Sequence, residues 1–411
     1  MTSTIIITFC SLLLIAYLFD LTFARTRVPS VILLLLLGWL VRQIILFFDI
    51  RLPNLSTFLP VFGTLGLILI VLEGVLELEL NKSKISLIKK SFLGALLPML
   101  ALSFIIAALF GVYADSSFKD SLTNAIPFAV ISSAIAIPTV KNITSSDKEF
   151  IIYESSLSDI LGVLFFNFVA LNTSINLASF GNFGLQLLVI VIISFFATIA
   201  LSFLLSNIEH HIKFVPIILL IILIYEISKV YHLPSLIFIM MFGLFIGNLD
   251  ELKGLKWIER FRPEVLNKEV KRFKDLTIEA AFLIRAIFFI FFGFLLETSE
   301  ILNTDTLVWS VGIVILIYAF RALQLRLSNL SFKTLLYVAP RGLITILLFL
   351  SITPEQRIFF VNKSLIIQVI ILTTLIMMFS LMIASKAPPK KDAATTGPGE
   401  QEIAPITLEK Q

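Results

Sequence analysis

The stretch Tyr153-Glu154-Ser155-Ser156-Leu157-Ser158-Asp159-Ile160-Leu161-Gly162 sets two carboxylates into an otherwise apolar run. On a helix, Ser155, Ser158, Asp159 and Gly162 fall at i, i+3, i+4 and i+7 and share one face. A carboxylate near a bilayer centre costs roughly 2.5–3.5 kcal/mol, so it faces a cavity or a partner. Oxygen-bearing side chains around such a group suit a proton or a hard monovalent cation, and nothing in the stretch suits a soft metal. Asp159 is therefore the candidate ion and proton site, with Ser155 and Ser158 as neighbouring oxygen ligands.

Glu154 lies about 140° round the helix from Asp159 and is expected to face elsewhere. Its expected role is a structural ion pair with Arg285 or Arg341, because a buried guanidinium keeps its proton and needs a fixed anion. Glu73, in Leu72-Glu73-Gly74-Val75, either joins the site or lines its entrance, and the residues leave that open. Arg321 and Glu226 read as interfacial residues whose stems lie along apolar surface. Asn167 reads as a helix–helix hydrogen-bonding residue. Two apolar segments contain helix breakers. One holds Pro127, Ser132, Ser133, Pro138 and Thr139; the other holds Pro340, Arg341 and Gly342. Proline removes a backbone donor, and in lipid the freed groups must find protein partners or a water-filled cavity. Ser132, Ser133, Pro138 and Thr139 are thus expected to line the site.

These residues need a membrane around them. The chain of 411 residues is 58% hydrophobic and 15% charged, with mean hydropathy +1.00, whereas soluble domains are about half apolar and a quarter charged. Thirteen segments can serve as spans, near 4–19, 28–48, 55–78, 88–113, 121–140, 149–172, 183–206, 213–231, 234–249, 277–297, 306–326, 333–352 and 362–385. The fold class is an all-α membrane protein, and residues 1–385 form one transmembrane domain. The tail 386–411, rich in Pro, Gly, Thr and charge, is expected to be disordered. If spans one to six and eight to thirteen are two repeats, both broken segments take the fifth place. Paired interrupted helices at matching positions point to a transporter site.

Basic residues set the orientation. With the C-terminus inside, the internal loops gather Arg25, Arg27, Lys82, Lys84, Lys89, Lys90, Lys141, Lys148 and the charged stretch 250–275, which reads as a surface helix joining two halves. The opposite loops hold only Arg51, Lys119, Arg357, Lys363 and Lys229, so the N-terminus is predicted outside. The first apolar segment has no basic lead-in or small-residue cleavage site and reads as a retained span. The net charge of +4 reports topology here and does not suggest nucleic acid. Cys10 is the single cysteine, which excludes an internal disulfide. Adjacent His210 and His211 do not share a helix face and read as loop residues. No Ser-His-Asp order, metal motif or phosphate loop suggests an enzyme or a cofactor.

Together these segments resemble the monovalent cation/proton antiporter superfamily, over nearly the whole chain to about Ser385. Glu154-Ser155-Ser156-Leu157-Ser158-Asp159 resembles the Glu-Ser-x-x-Asn-Asp motif, with Asp159 in the place of the ion-binding aspartate. Glu73-Gly74 running into lysines is similar to the span-three motif. Arg285 with Phe288, Phe289, Phe292 and Gly293 is similar to the basic-aromatic span ten. Pro340-Arg341-Gly342 resembles the Arg-Gly motif of broken span twelve. Two positions depart from the pattern. Ala136-Ile137-Pro138 stands where electroneutral members carry Thr-Asp-Pro, and Ser132-Ser133-Ala134 is closer to the Ser-Ser-Thr-Ala motif of a branch that includes potassium/proton exchangers. Ser158 replaces the asparagine.

The resemblance implies an antiporter-type fold of inverted repeats and a homodimer in a cell membrane. It implies exchange of Na⁺ for protons by alternating access around Asp159, with Glu73, Ser155 and Ser158 as further ligands. Electrogenic relatives place a second acid beside the aspartate and a lysine in span ten; Ser158 and Arg285 here imply electroneutral exchange. The alternatives are a K⁺/H⁺ antiporter, a sodium-coupled symporter, and a non-transporting membrane scaffold of the same fold.

Overall fold

Each of the thirteen apolar segments contains helix among the described residues, as lipid offers no partner to a backbone N–H or C=O. The structure, a computed structural model, describes residues 2–26, 28–50, 57–140, 145–172, 175–208, 212–249 and 263–384. The tail 386–411, His210-His211, Arg27, Arg51, Lys141 and the first half of the 250–275 stretch lie outside the described residues. The helices are α1 (Thr2–Thr26), α2 (Ser30–Phe47), α3 (Phe58–Leu76), α4 (Ile85–Ala114), α5 (Phe118–Ala129), α6 (Ser133–Thr139), α7 (Ser145–Leu171) and α8 (Leu177–Asn207). They continue as α9 (Phe214–Val230), α10 (Leu236–Gly247), α11 (Pro263–Phe294), α12 (Thr298–Ile301), α13 (Thr304–Leu327), α14 (Phe332–Leu335), α15 (Leu343–Leu350) and α16 (Lys363–Ala384). Among the described residues, nine helical stretches are long and apolar enough to cross a membrane by length and composition. The described part of the 250–275 stretch is not a separate surface helix: α11 runs through it without a break.

The helices sort into two groups. In one, α11 packs on α2 and α3, and α10 on α3 and α8. In the other, α4 packs on α5 and α7, α13 on α16 and α4, and α15 on α5 and α7. Helix α3 borders both, touching α6, α7 and α15 across the seam. The α3 end is pinned there. The Tyr153 hydroxyl donates to the Glu79 carbonyl at 2.5 Å, and Asn248 receives the Leu80 N–H. Lys84 bonds Glu79 at 2.6 Å and Glu149 at 3.1 Å, and the Glu79 hydrogen bond in particular holds its ammonium pKa above the ordinary lysine range.

The α2–α11 crossing is backbone against backbone. A Cβ on Gly38 would sit 2.1 Å from the Ile290 carbonyl oxygen, and one on Gly293 would sit 2.3 Å from that of Leu35. Neither carbonyl can move without bending its helix. Gly38→Ala is therefore expected to destabilise by about 1–3 kcal/mol, as overpacking does, and to lower the melting temperature in detergent. Gly181→Ala is the control, because a Cβ there meets nothing within 4 Å, and helical Gly→Ala gains about 0.5–1 kcal/mol. Equal melting of the two variants would contradict the close crossing.

Candidate functional site

The small-residue face of α7 lies against the break between α5 and α6. The chain leaves helix at Val130 (φ −80°, ψ 128°) and is still extended at Ser132. Three contacts follow in register. Gly162 lets Val130 approach so closely that a Cβ would lie 2.3 Å from its Cγ2. The Ile131 N–H donates to Ser158 Oγ at 3.0 Å. The Ser133 N–H donates to Asp159 Oδ2 at 3.2 Å, and the Ser133 hydroxyl donates to the same oxygen. Asp159 is 1% exposed, and its Oδ1 is buried with no hydrogen-bond partner. Among the described residues, no lysine, arginine or histidine lies within ion-pair distance of it.

The second break crosses the first. The Ser132 N–H donates to the Pro340 carbonyl at 3.0 Å. A Cβ on Gly342 would meet Ser132 Oγ at 2.9 Å and Ile135 Cδ1 at 2.6 Å, so any larger residue must displace those two side chains. Arg341 serves the freed carbonyls. It donates to Phe128 O at 2.6 Å, Ala339 O at 2.8 Å and Ala129 O at 3.4 Å. A guanidinium at the C-terminal end of α5 offsets the partial negative charge of its last carbonyls. The Arg341 N–H is itself held by Thr373 Oγ1 on α16.

Glu154 turns away from Asp159, toward α13. Its Oε1 accepts from Arg321 Nη1 and Gln324 Nε2, each at 2.5 Å. Arg321 also donates to Leu335 O at 3.1 Å and Val338 O at 3.3 Å, the carbonyls leading into the second break. Glu73 stands 3.8 Å from Arg285, which joins α3 to α11. A cavity of about 320 Å³ enters from the C-terminal end of α7 and reaches Val163, one helical turn beyond Asp159. On the α6 side, Pro138 and Thr139 border only a crevice of about 10 Å³ against Pro29 and Val31.

Residues 10–385 match the family described as sodium/hydrogen exchanger, transmembrane. The chain belongs to the sodium/hydrogen exchanger family. Its family and fold are those of a transporter, not an enzyme. The exchanger shares its fold with the sodium proton antiporter MjNhaP1 from Methanocaldococcus jannaschii at pH 8, at TM-score 0.66 and 18% identity over 93% of this chain and 96% of that one. It also resembles the electron-microscopy map of that antiporter, at TM-score 0.65 and 19% identity over 95% and 100%. No curated protein matches the chain.

In this exchanger the predicted ion pair is corrected. Glu154 pairs with Arg321, not with Arg285 or Arg341, and Arg321 is 2% exposed rather than interfacial. Of the residues expected to line the site, Ser133 bonds Asp159, while the predicted ligand Ser158 is taken by the Ile131 N–H. The Ser155 hydroxyl donates to Ile151 O on its own helix at 2.7 Å, as serines in helices often do. Ser132 Oγ and Ser156 Oγ are buried without a hydrogen-bond partner. Thr139 Oγ1 donates to Ala136 O at 2.7 Å, and Pro138 and Thr139 lie toward the small crevice, away from the cavity. Asn167 lines the cavity. No sequence pattern singles out Thr373, and the only signal for Gln324 is its place one turn from the intramembrane Arg321.

Proposed function

We propose that the chain exchanges Na⁺ for H⁺ by alternating access around Asp159, electroneutrally and as a homodimer in a cell membrane, with its N-terminus outside. The observation that carries this reading is a fully buried carboxylate, at the crossing of two helix breaks, with one oxygen unbonded and no fixed cation beside it among the described residues. Such a group holds a proton or a cation, not both. A structural carboxylate would have a standing counter-ion, as Glu154 has in Arg321. Ser132 Oγ, at the same crossing, supplies a further free oxygen for a hard cation. Ser158 brings no second acid, and Arg285 has Glu73 opposite it, so each cycle moves one cation against one proton.

The test is dequenching of a pH-sensitive dye in proteoliposomes when Na⁺, K⁺ or Li⁺ is added. A response to Na⁺ and Li⁺, with no current at zero ion gradients under an imposed voltage, is expected. The second reading, K⁺/H⁺ exchange, is favoured by Ser132-Ser133-Ala134-Ile135-Ala136, which resembles the Ser-Ser-Thr-Ala motif of the branch that includes potassium/proton exchangers. A response to K⁺ alone would establish it, and a voltage-driven current would refute electroneutrality.

A further inference from the structure

The cavity that leads toward Asp159 carries charge of the wrong sign for a cation path. Its titratable lining residues are Tyr225, Lys229 and His232, all from α9 and the turn after it. The facing walls contribute Thr64 from α3, Asn167 from α7 and Gln356. Among the described lining residues there is no carboxylate. Two acids stand next to lining residues in sequence, Glu355 beside Gln356 and Glu226 beside Tyr225, and Glu355 is exposed. Glu226, on α9, is not part of the lining.

The basic pair is also held in place. His232 adopts φ 56°, a left-handed conformation. Its N–H donates to Lys229 O, and the Leu233 N–H donates to Ser228 O, each at 2.9 Å. This tight helix end fixes the backbone that carries both side chains. His232 borders a second cavity of about 180 Å³ as well, shared with Asn167 and Gln186.

We infer that Lys229 is an electrostatic filter on the cation path, weakening cation binding from the face where α7 ends and so favouring release over uptake there. The inference rests on Asp159 as the transported-ion site. Low-dielectric cavity walls focus the field of a fixed charge, and at physiological salt the screening length is about 8 Å, comparable to the cavity itself. The side chain is exposed at the rim, so its replacement leaves the packing intact.

The experiment measures cation-dependent proton flux with Na⁺ applied to one face at a time, in right-side-out and inside-out vesicles holding the full chain. For Na⁺ at the α7-end face, KM is expected to fall in the order natural chain, Lys229→Gln, Lys229→Glu. The Lys229→Gln step is on the order of tenfold at low ionic strength and shrinks as choline chloride is added. Lys229→Arg should behave as the natural chain. KM from the opposite face should not move. Equal KM values across the series, equal changes at both faces, or insensitivity to salt would each overturn the filter. Failure of the underlying reading looks different: Asp159→Asn would go on exchanging, whatever Lys229 does.

Discussion

Asp159→Asn is expected to abolish cation-driven proton flux while leaving the protein folded. The amide keeps the size and planar shape of the carboxylate. Its oxygen can still accept from the Ser133 N–H and hydroxyl. What it loses is the negative charge and the exchangeable proton, and an amide has neither to offer a cation cycle. Asp159 has no ion-pair partner among the described residues, so no opposite charge is stranded by the change. Removing a buried charge that nothing compensates should leave the melting temperature equal or raise it. The expected pair of results is flux at the level of empty liposomes and undiminished thermal stability. Flux that persists would remove Asp159 from the transport cycle. Lost flux with a large drop in melting would make its role structural.

The position of Asp159 was legible because the physics is local. A carboxylate with serines and glycine at helical spacing needs only the 3.6-residue period to define its face. The two breaks were legible only in part: Ser132 and Pro340 fall at them, whereas Pro127 and Pro138 lie inside α5 and α6 and Pro98 lies inside the unbroken α4. Partner choice was not local. Glu154 and Arg321 are 167 residues apart, and three intramembrane arginines face two glutamates, so charge matching alone admits several pairings. Which one forms depends on α7, α4 and α13 packing together. Arg341 illustrates a second limit. Its partners are carbonyls of Phe128, Ala129 and Ala339, and backbone acceptors carry no side-chain signature. Ser155 illustrates a third. It lies on the predicted face, yet its hydroxyl is turned to Ile151 O, a rotamer choice below the resolution of helical periodicity.

Arg321→Ala is expected to damage the fold more than any neutral change at Asp159. Glu154 and Arg321 are 1% and 2% exposed, so each is the other's counter-ion in place of water. Alanine leaves a buried glutamate facing Gln324 alone, leaves Val338 O without its donor, and leaves Leu335 O with the Val338 N–H alone. Breaking a buried pair from one side costs about 3–5 kcal/mol, enough to lower the melting temperature clearly and to loosen the segment that carries Pro340 into its crossing with Ser132. Transport should fall with it. Arg321→Lys keeps the charge but not the planar fork that reaches a carboxylate and two carbonyls together, so it should recover only part of the loss. The decisive variant is Glu154→Gln combined with Arg321→Met. With no buried charge left on either side, the double change should melt above Arg321→Ala, because a neutral replacement of both partners is far less costly than an orphaned one. Equal melting of the single and double variants would mean that the pair is not coupled. The importance of Arg321 would then lie in its carbonyl bonds to the second break.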